Sequence, residues 1–137
     1  MGRGLYAGDL DGDLDLDLVV TQCGGPAAIL ENRAARGGAL LVSGLPEGTR
    51  VIVATDAGRR IVREAGPAPS YLGQCAPDAH FGLGNARATS VAVRIPGRSE
   101  RTFALDPPLA NARVRFTLQH GELSMTASEV ARSRHDR

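Results

Sequence analysis

Five aspartates at alternate positions near the N-terminus are the residues whose types and spacing most clearly suggest chemistry. The segment GDLDGDLDLDLVV, residues 8–20, contains Asp9, Asp11, Asp13, Asp15 and Asp17. Two carboxylates about 4 Å apart repel each other by roughly 4 kcal/mol at an effective dielectric constant of about 20. A chain that folds here therefore needs a cation between the carboxylates or water around them. Carboxylate oxygens in a flexible loop favour Ca²⁺ over Mg²⁺, because Mg²⁺ demands a stricter octahedron and keeps its water molecules.

The spacing of the same segment excludes one familiar calcium motif. An EF-hand has glycine at the sixth loop position and glutamate at the twelfth. Counted from Asp9, these positions are Leu14 and Val20, so the segment is not an EF-hand. A solvated acidic turn ahead of a strand is the remaining alternative. The sequence predicts a calcium loop and leaves that alternative open.

Composition and charge limit the classes of protein that this chain can belong to. Its 137 residues, 42% of them hydrophobic, are enough for one soluble domain with a core and a short appendage. The net charge of +1 argues against a dedicated binder of nucleic acids or of anionic membranes. No segment approaches the roughly 20 apolar residues of a membrane span. The first ten residues also lack the apolar core of a secretory signal peptide.

The two cysteines give no sign of a metal site. Neither Cys23 nor Cys75 belongs to a C-x-x-C pair, so zinc binding is not expected. They could form one disulfide in an oxidising compartment. The sequence does not decide whether they meet.

Short alternating segments separated by turn residues predict an all-β fold, either a small β-sandwich or a barrel. The clearest strand covers residues 89–95, in which Val91, Val93 and Ile95 share one face. Residues 50–55 and 59–65 flank Asp56-Ala57-Gly58 and read as a hairpin. Residues 16–21 and 27–32 are predicted strands on either side of a glycine-rich turn.

Composition also suggests how the chain is divided. Residues 33–38 are polar and contain glycines, which favours a boundary at this point. We therefore expect an aspartate-loop unit over residues 1–33 and a β domain over residues 34–119. Residues 120–137 are polar, and we expect a disordered tail there with at most a turn of helix around residues 128–132.

The aspartate spacing resembles the calcium loop of FG-GAP repeats, which form the blades of integrin-type β-propellers. Their usual pattern, D-x-D-G-D-x-D-x-D, precedes a hydrophobic strand. The resemblance implies side-chain ligands at Asp9, Asp11 and Asp13, a backbone carbonyl ligand at Asp15, and a closing carboxylate at Asp17. Leu14 stands where such loops usually have glycine, and a left-handed conformation would cost leucine about 1–2 kcal/mol.

One strand-turn-strand unit cannot close a propeller, which needs about four to eight blades. The FG-GAP resemblance therefore implies a fragment or remnant of a longer propeller protein, or a loop reused beside another domain. In the first case the missing blades of a longer chain would be partners of this unit.

Four segments in order resemble the ASPIC/UnbV domain: GTRVIV, AGRRIVREA, SYLGQCAPDAHFGLGNA and TSVAVRIPGRSERTF. Ile95 stands where the family usually has an aromatic residue before proline. In this family the domain follows FG-GAP repeats, as in cartilage acidic protein and bacterial secreted relatives. The resemblance implies an extracellular or periplasmic, calcium-dependent interaction or adhesion module whose partner is a protein or a glycan. No catalytic activity is implied.

His80 supports an alternative, hydrolase-like interpretation. Ser70, His80 and an aspartate could in principle form a catalytic triad, but no G-x-S-x-G nucleophile elbow surrounds Ser70. We therefore expect His80 to be a structural, hydrogen-bonding residue and the protein not to be an enzyme. Tyr71 and Gln74 could contact a partner, although Tyr71 is more simply an anchor of its loop.

Overall fold

The computed structural model describes residues 2–33, 37–66, 69–70 and 73–131. These residues form strands joined by turns, with no helix among them. The strands are β1 (Gly2–Gly8), β2 (Asp17–Gln22), β3 (Ala28–Leu30), β4 (Gly38–Ser43), β5 (Thr49–Thr55), β6 (Arg60–Ala65), β7 (Pro69–Ser70), β8 (Gly73–Gln74), β9 (Ala79–Gly84), β10 (Ala88–Arg94), β11 (Arg101–Leu109), β12 (Asn111–Gln119) and β13 (Glu122–Glu129). Within the described part of the chain, no helix is long and apolar enough to cross a membrane.

Two four-stranded sheets pack face to face, which confirms the predicted all-β fold and decides between the two predicted architectures in favour of the sandwich. One sheet has the order β11-β10-β5-β6 and the other β13-β12-β4-β9. All pairings are antiparallel except that between β4 and β12, which is parallel. Alternate residues of both sheets point inward because side chains alternate across a strand. The largest fully buried core side chains are Phe81, Phe116, Leu40, Leu83, Val42, Val51, Val53, Val91, Val93 and Val114.

The N-terminal residues form a separate three-stranded antiparallel sheet of order β1-β2-β3. The predicted strand-turn-strand unit corresponds to β2, β3 and the turn that contains Cys23. Residues 2–8 add β1 to this unit. Leu5, Ile29 and Leu30 are exposed large hydrophobic residues of this sheet. Cys23 is exposed and Cys75 half-buried, and both are free thiols.

The expectation of a disordered tail from residue 120 was wrong for the residues up to 129. β13 pairs with β12 along its whole length, from Gln119↔Glu122 to Ala112↔Glu129. A two-residue turn reverses the chain, with φ of 50° at His120 and 85° at Gly121. Such turns need positive φ at both positions, for which Asn-Gly is a much stronger sequence signal than His-Gly. The sequence therefore did not predict this hairpin. The helical turn expected near residue 128 is absent up to residue 131.

Candidate metal centre

One row of residues across the outer face of the β13-β12-β4-β9 sheet receives the aspartate loop, residues 9–17. Strand pairing aligns Ser128 with Arg113, Arg113 with Leu41, and Leu41 with His80. We call Arg113, Leu41 and His80 the docking row. Directly paired residues of neighbouring strands face the same side of a sheet. The register of four strands therefore fixes the surface on which the loop rests.

Leu14 anchors the loop to this row through its side chain. It is fully buried and packs in a cluster with Ala39 and Leu41, against which Val130 also lies. Its φ is 74°, so the left-handed conformation considered from the sequence is present. Burial of a leucine side chain is worth about 1.5–3 kcal/mol, which offsets a conformational cost of about 1–2 kcal/mol. The side chain therefore explains why leucine is tolerated where glycine is usual.

The backbone of the same residue is held by a histidine from the sandwich. His80 Nε2 lies 2.8 Å from the carbonyl oxygen of Leu14. A carbonyl oxygen only accepts, so Nε2 carries the hydrogen in this contact. This agrees with the structural, hydrogen-bonding role expected for His80. Of the other residues considered, Tyr71 lies outside the described residues, and Ser70 and Gln74 lie in β7 and β8.

Three of the five aspartates form a carboxylate group. Asp9, Asp11 and Asp13 each offer one oxygen, and these oxygens lie within 4.8 Å of one another. Oxygens on opposite sides of a Ca²⁺ ion bound at 2.3–2.6 Å are about 5 Å apart, so the spacing and the all-oxygen donor set both fit calcium. The sequence prediction brought these three residues together correctly, while their binding of a metal remains a prediction.

Backbone amides of the loop hold the three carboxylates in place. Gly12 N–H donates to Asp9 Oδ1 at 2.8 Å, and the amide of Asp13 donates to Asp11 Oδ1 at 3.2 Å. The amide of Asp15 donates to Asp13 Oδ1 at 2.7 Å. In the last two of these bonds the aspartate accepts from the amide two residues ahead, which is a common arrangement. The loop thus presents its carboxylates through local turns of the chain.

Asp15 and Asp17 lie outside this carboxylate group. The prediction for Asp15 concerned its backbone carbonyl. Asp17 is buried, and it accepts the Leu10 amide on Oδ2 at 3.0 Å and the Asn32 amide on Oδ1 at 2.8 Å. It therefore ties the start of the loop to the end of β3. Sequence reasoning missed this clamp, because nothing in the aspartate spacing distinguishes Asp17 from the other four.

An arginine of the sandwich neutralises part of the charge on the loop. Arg113 Nη2 lies 2.5 Å from Asp9 Oδ2, and the Asp9 side chain is only 2% exposed. A buried carboxylate without a partner is strongly destabilising, and Arg113 supplies that partner for Asp9. The two residues are 104 positions apart in sequence. No local pattern could have predicted that they meet.

A cavity of about 530 Å³ separates the β1-β2-β3 sheet from the sandwich. Asp9, His80 and Arg113 border it on the loop and sandwich side, and Tyr6 and Val19 border it on the N-terminal sheet. Residues that hold the loop on the sandwich, His80 and Arg113, therefore also line the cavity between the N-terminal sheet and the sandwich. A change in the loop would alter one wall of this cavity.

The loop raises the pKa of Asp13 above that of a free aspartate. Burial is the largest cause, the hydrogen bond from the Asp15 amide opposes it, and the charges of Asp11, Asp15 and Asp9 add to the rise. The folded state then binds this proton more tightly than the unfolded state. Ionised Asp13 consequently lowers the stability of the metal-free protein, and this loss disappears as pH falls through the raised pKa.

We therefore expect Asp13→Asn to be more stable than the wild type at neutral pH in chelator. The asparagine keeps an acceptor for the Asp15 amide but removes the charge. The difference between the two proteins should shrink as the pH falls through the folded-state pKa of Asp13. Chemical denaturation at a series of pH values measures it. A difference that grows on acidification would contradict the assignment.

Comparison with known protein families gives a match for most of the sandwich. The family model described as ASPIC and UnbV matches residues 44–127, more than half of the chain. The match runs from the turn before β5 into β13 and includes His80 and Arg113 of the docking row. It does not include the aspartate loop. No curated protein matches the chain.

Proposed function

The chain belongs to the ASPIC and UnbV family, an extracellular-type domain family, and on that premise we propose that it is a calcium-binding, non-catalytic interaction module. The observation that carries the proposal is the group formed by Asp9, Asp11 and Asp13, with oxygens within 4.8 Å of one another. The resemblance of the loop to FG-GAP repeats supports the same conclusion.

In this proposal Asp9, Asp11 and Asp13 hold the ion through their side chains, with the Asp15 carbonyl completing the set. Asp17 holds the loop in shape through the amides of Leu10 and Asn32. Calcium supplies the positive charge that offsets the mutual repulsion of these carboxylates. The chain itself does the positioning, since Leu14 and His80 fix the loop on the sandwich. Binding would therefore stiffen the junction between the N-terminal sheet and the sandwich.

The partner in this proposal is an extracellular or periplasmic protein or glycan, or further blades of a longer propeller chain. The N-terminal sheet supports the idea of a partner, because Leu5, Ile29 and Leu30 are each more than half exposed. Leu5 and Leu30 share one face of this sheet and Ile29 lies on the other, and exposed apolar residues that share a face are typical of interaction surfaces. Calcium would act by holding this sheet in a fixed position on the sandwich.

Calorimetric titration with Ca²⁺ tests the metal site. We expect binding with a dissociation constant of roughly 10⁻⁷–10⁻³ M, the range of calcium sensors and extracellular modules. Calcium at one hundred times that constant should stabilise the fold by about 2.7 kcal/mol. The double variant Asp11→Asn, Asp13→Asn should lose both effects, because asparagine keeps the turn hydrogen bonds but not the charges.

The matched control is the double variant Glu122→Gln, Glu129→Gln. It removes the same charge from two exposed residues of β13, and it should bind calcium like the wild type. Absence of heat and of a melting shift in the wild type would refute the calcium site. Equal losses in both double variants would show that net charge, not the loop, is responsible.

A further inference from the structure

We propose that Arg113 is a built-in counter-ion of the aspartate loop, with which a divalent cation has to compete for the Asp9 carboxylate. This inference rests on the proposed function, since it concerns the affinity of the same site. It assigns to the sandwich a residue that tunes a metal centre formed by the N-terminal unit.

The two oxygens of Asp9 have different partners. Oδ1 accepts the Gly12 amide at 2.8 Å and so belongs to the turn of the loop. Oδ2 is the oxygen that faces Arg113, at 2.5 Å. With the guanidinium in place the Asp9 side chain is only 2% exposed, so Arg113 shields Oδ2 from solvent. A positive charge is therefore already present at one of the three carboxylates of the group.

The position of Arg113 is set by the sandwich. It lies on β12, which pairs on one side with Leu41 of β4 and on the other with Ser128 of β13. A Cβ atom added to Gly12 would lie 3.6 Å from Arg113 Nη2, so the guanidinium also rests against the loop. Its charge is thus held close to the carboxylates by a strand that does not belong to the loop.

This placement has opposite effects in the two states of the site. Without a metal, Arg113 reduces the repulsion among Asp9, Asp11 and Asp13. With a metal, it repels the bound ion. A doubly charged ion and a guanidinium about 6 Å apart in water repel by the equivalent of roughly a tenfold change in binding constant. Arg113 therefore stabilises the metal-free loop and lowers its affinity for the cation.

Arg115 provides a charge-matched control on the same strand. It lies two residues further along β12 and faces the same side of the sheet, opposite Thr126. Among the described residues it forms no ion pair. Replacing either arginine by glutamine removes one positive charge from the same face, but only one of the changes removes the partner of Asp9.

The test combines calorimetric titration with Ca²⁺ and thermal melting in chelator, on the wild type, Arg113→Gln, Arg113→Lys and Arg115→Gln. Arg113→Gln should bind calcium about tenfold more tightly than the wild type and should melt at a lower temperature in chelator. Arg115→Gln should resemble the wild type in both measurements. Arg113→Lys keeps the charge and should fall between the wild type and the glutamine variant.

The outcomes separate this inference from the proposed function. Calcium binding by the wild type, with Arg113→Gln no tighter than Arg115→Gln, overturns the competition alone. No calcium binding by any of the four proteins overturns both proposals. If Arg113→Gln fails to fold, Arg113→Lys decides, and an affinity identical to that of the wild type would count against competition through the paired geometry.

Discussion

Replacing Leu14 with alanine should destabilise the protein by about 2–4 kcal/mol, and glycine at this position should be less harmful than alanine. Leu14 is fully buried against Ala39 and Leu41, and truncating a buried leucine to alanine typically costs about 2–5 kcal/mol. The φ of 74° strains any residue with a Cβ. Glycine has no such strain and recovers about 1 kcal/mol of the loss.

Denaturant unfolding in chelator measures this order of stability, with Leu10→Ala as the control. Leu10 is a loop leucine that is 55% exposed, so its truncation should change stability by less than about 0.5 kcal/mol. The result that glycine is no better than alanine would mean that residue 14 does not adopt the left-handed conformation. A Leu14→Ala variant as stable as the wild type would mean that the loop does not dock on the sandwich.

The sequence predicted the strands best where alternation was strict and turns were conventional. The run Val91, Val93 and Ile95 marks the inner face of β10 with its extension, and all three residues are buried in the core. By contrast, β13 went unrecognised because its turn is His-Gly and its outward residues are short and polar. A local pattern shows which residues share a face of a strand. A hairpin whose turn residues give a weak sequence signal is recognised only when its strand pairing is known.

The candidate site was predictable only in its local part. The grouping of Asp9, Asp11 and Asp13 follows from short-range turns, and spacing in sequence reflects it directly. The contribution of Arg113 depends on the parallel pairing of β4 with β12, which joins distant segments. The spacing of residues in the sequence does not predict which residues of β4 and β12 are paired. The residues that dock the loop could therefore be recognised only from the fold.

The family match covers most of the sandwich but not the aspartate loop. Residues 44–127 contain Arg113 and His80, whereas the aspartates and Leu14 lie outside the matched range. His80 and Arg113 thus connect a domain whose family is known to an N-terminal unit whose family is inferred only from the spacing of its aspartates. Stability measurements on the loop test this junction directly, since each anchor can be removed without touching the sandwich core.

Replacing Asp17 with alanine should have the largest effect on the N-terminal sheet, a loss of about 3–6 kcal/mol. Asp17 is 2% exposed and accepts the amides of Leu10 and Asn32. Each hydrogen bond to a charged group contributes about 1.5–3 kcal/mol, and the two amides would lose this carboxylate as their acceptor. Asparagine would restore only one acceptor oxygen, so Asp17→Asn should lose about half as much.

The decisive feature is that this loss should appear with or without calcium. If Asp17 served the protein only as a metal ligand, its replacement would matter in calcium and be nearly silent in chelator. The hydrogen bond from the Asn32 amide instead ties the loop to β3 through protein groups alone. Hydrogen exchange of the β2 amides in chelator measures the effect, with Asp11→Asn, a change at an exposed loop carboxylate, as the control. Exchange in Asp17→Ala should be at least about 100-fold faster, and unchanged protection would show that the clamp does not hold the sheet together.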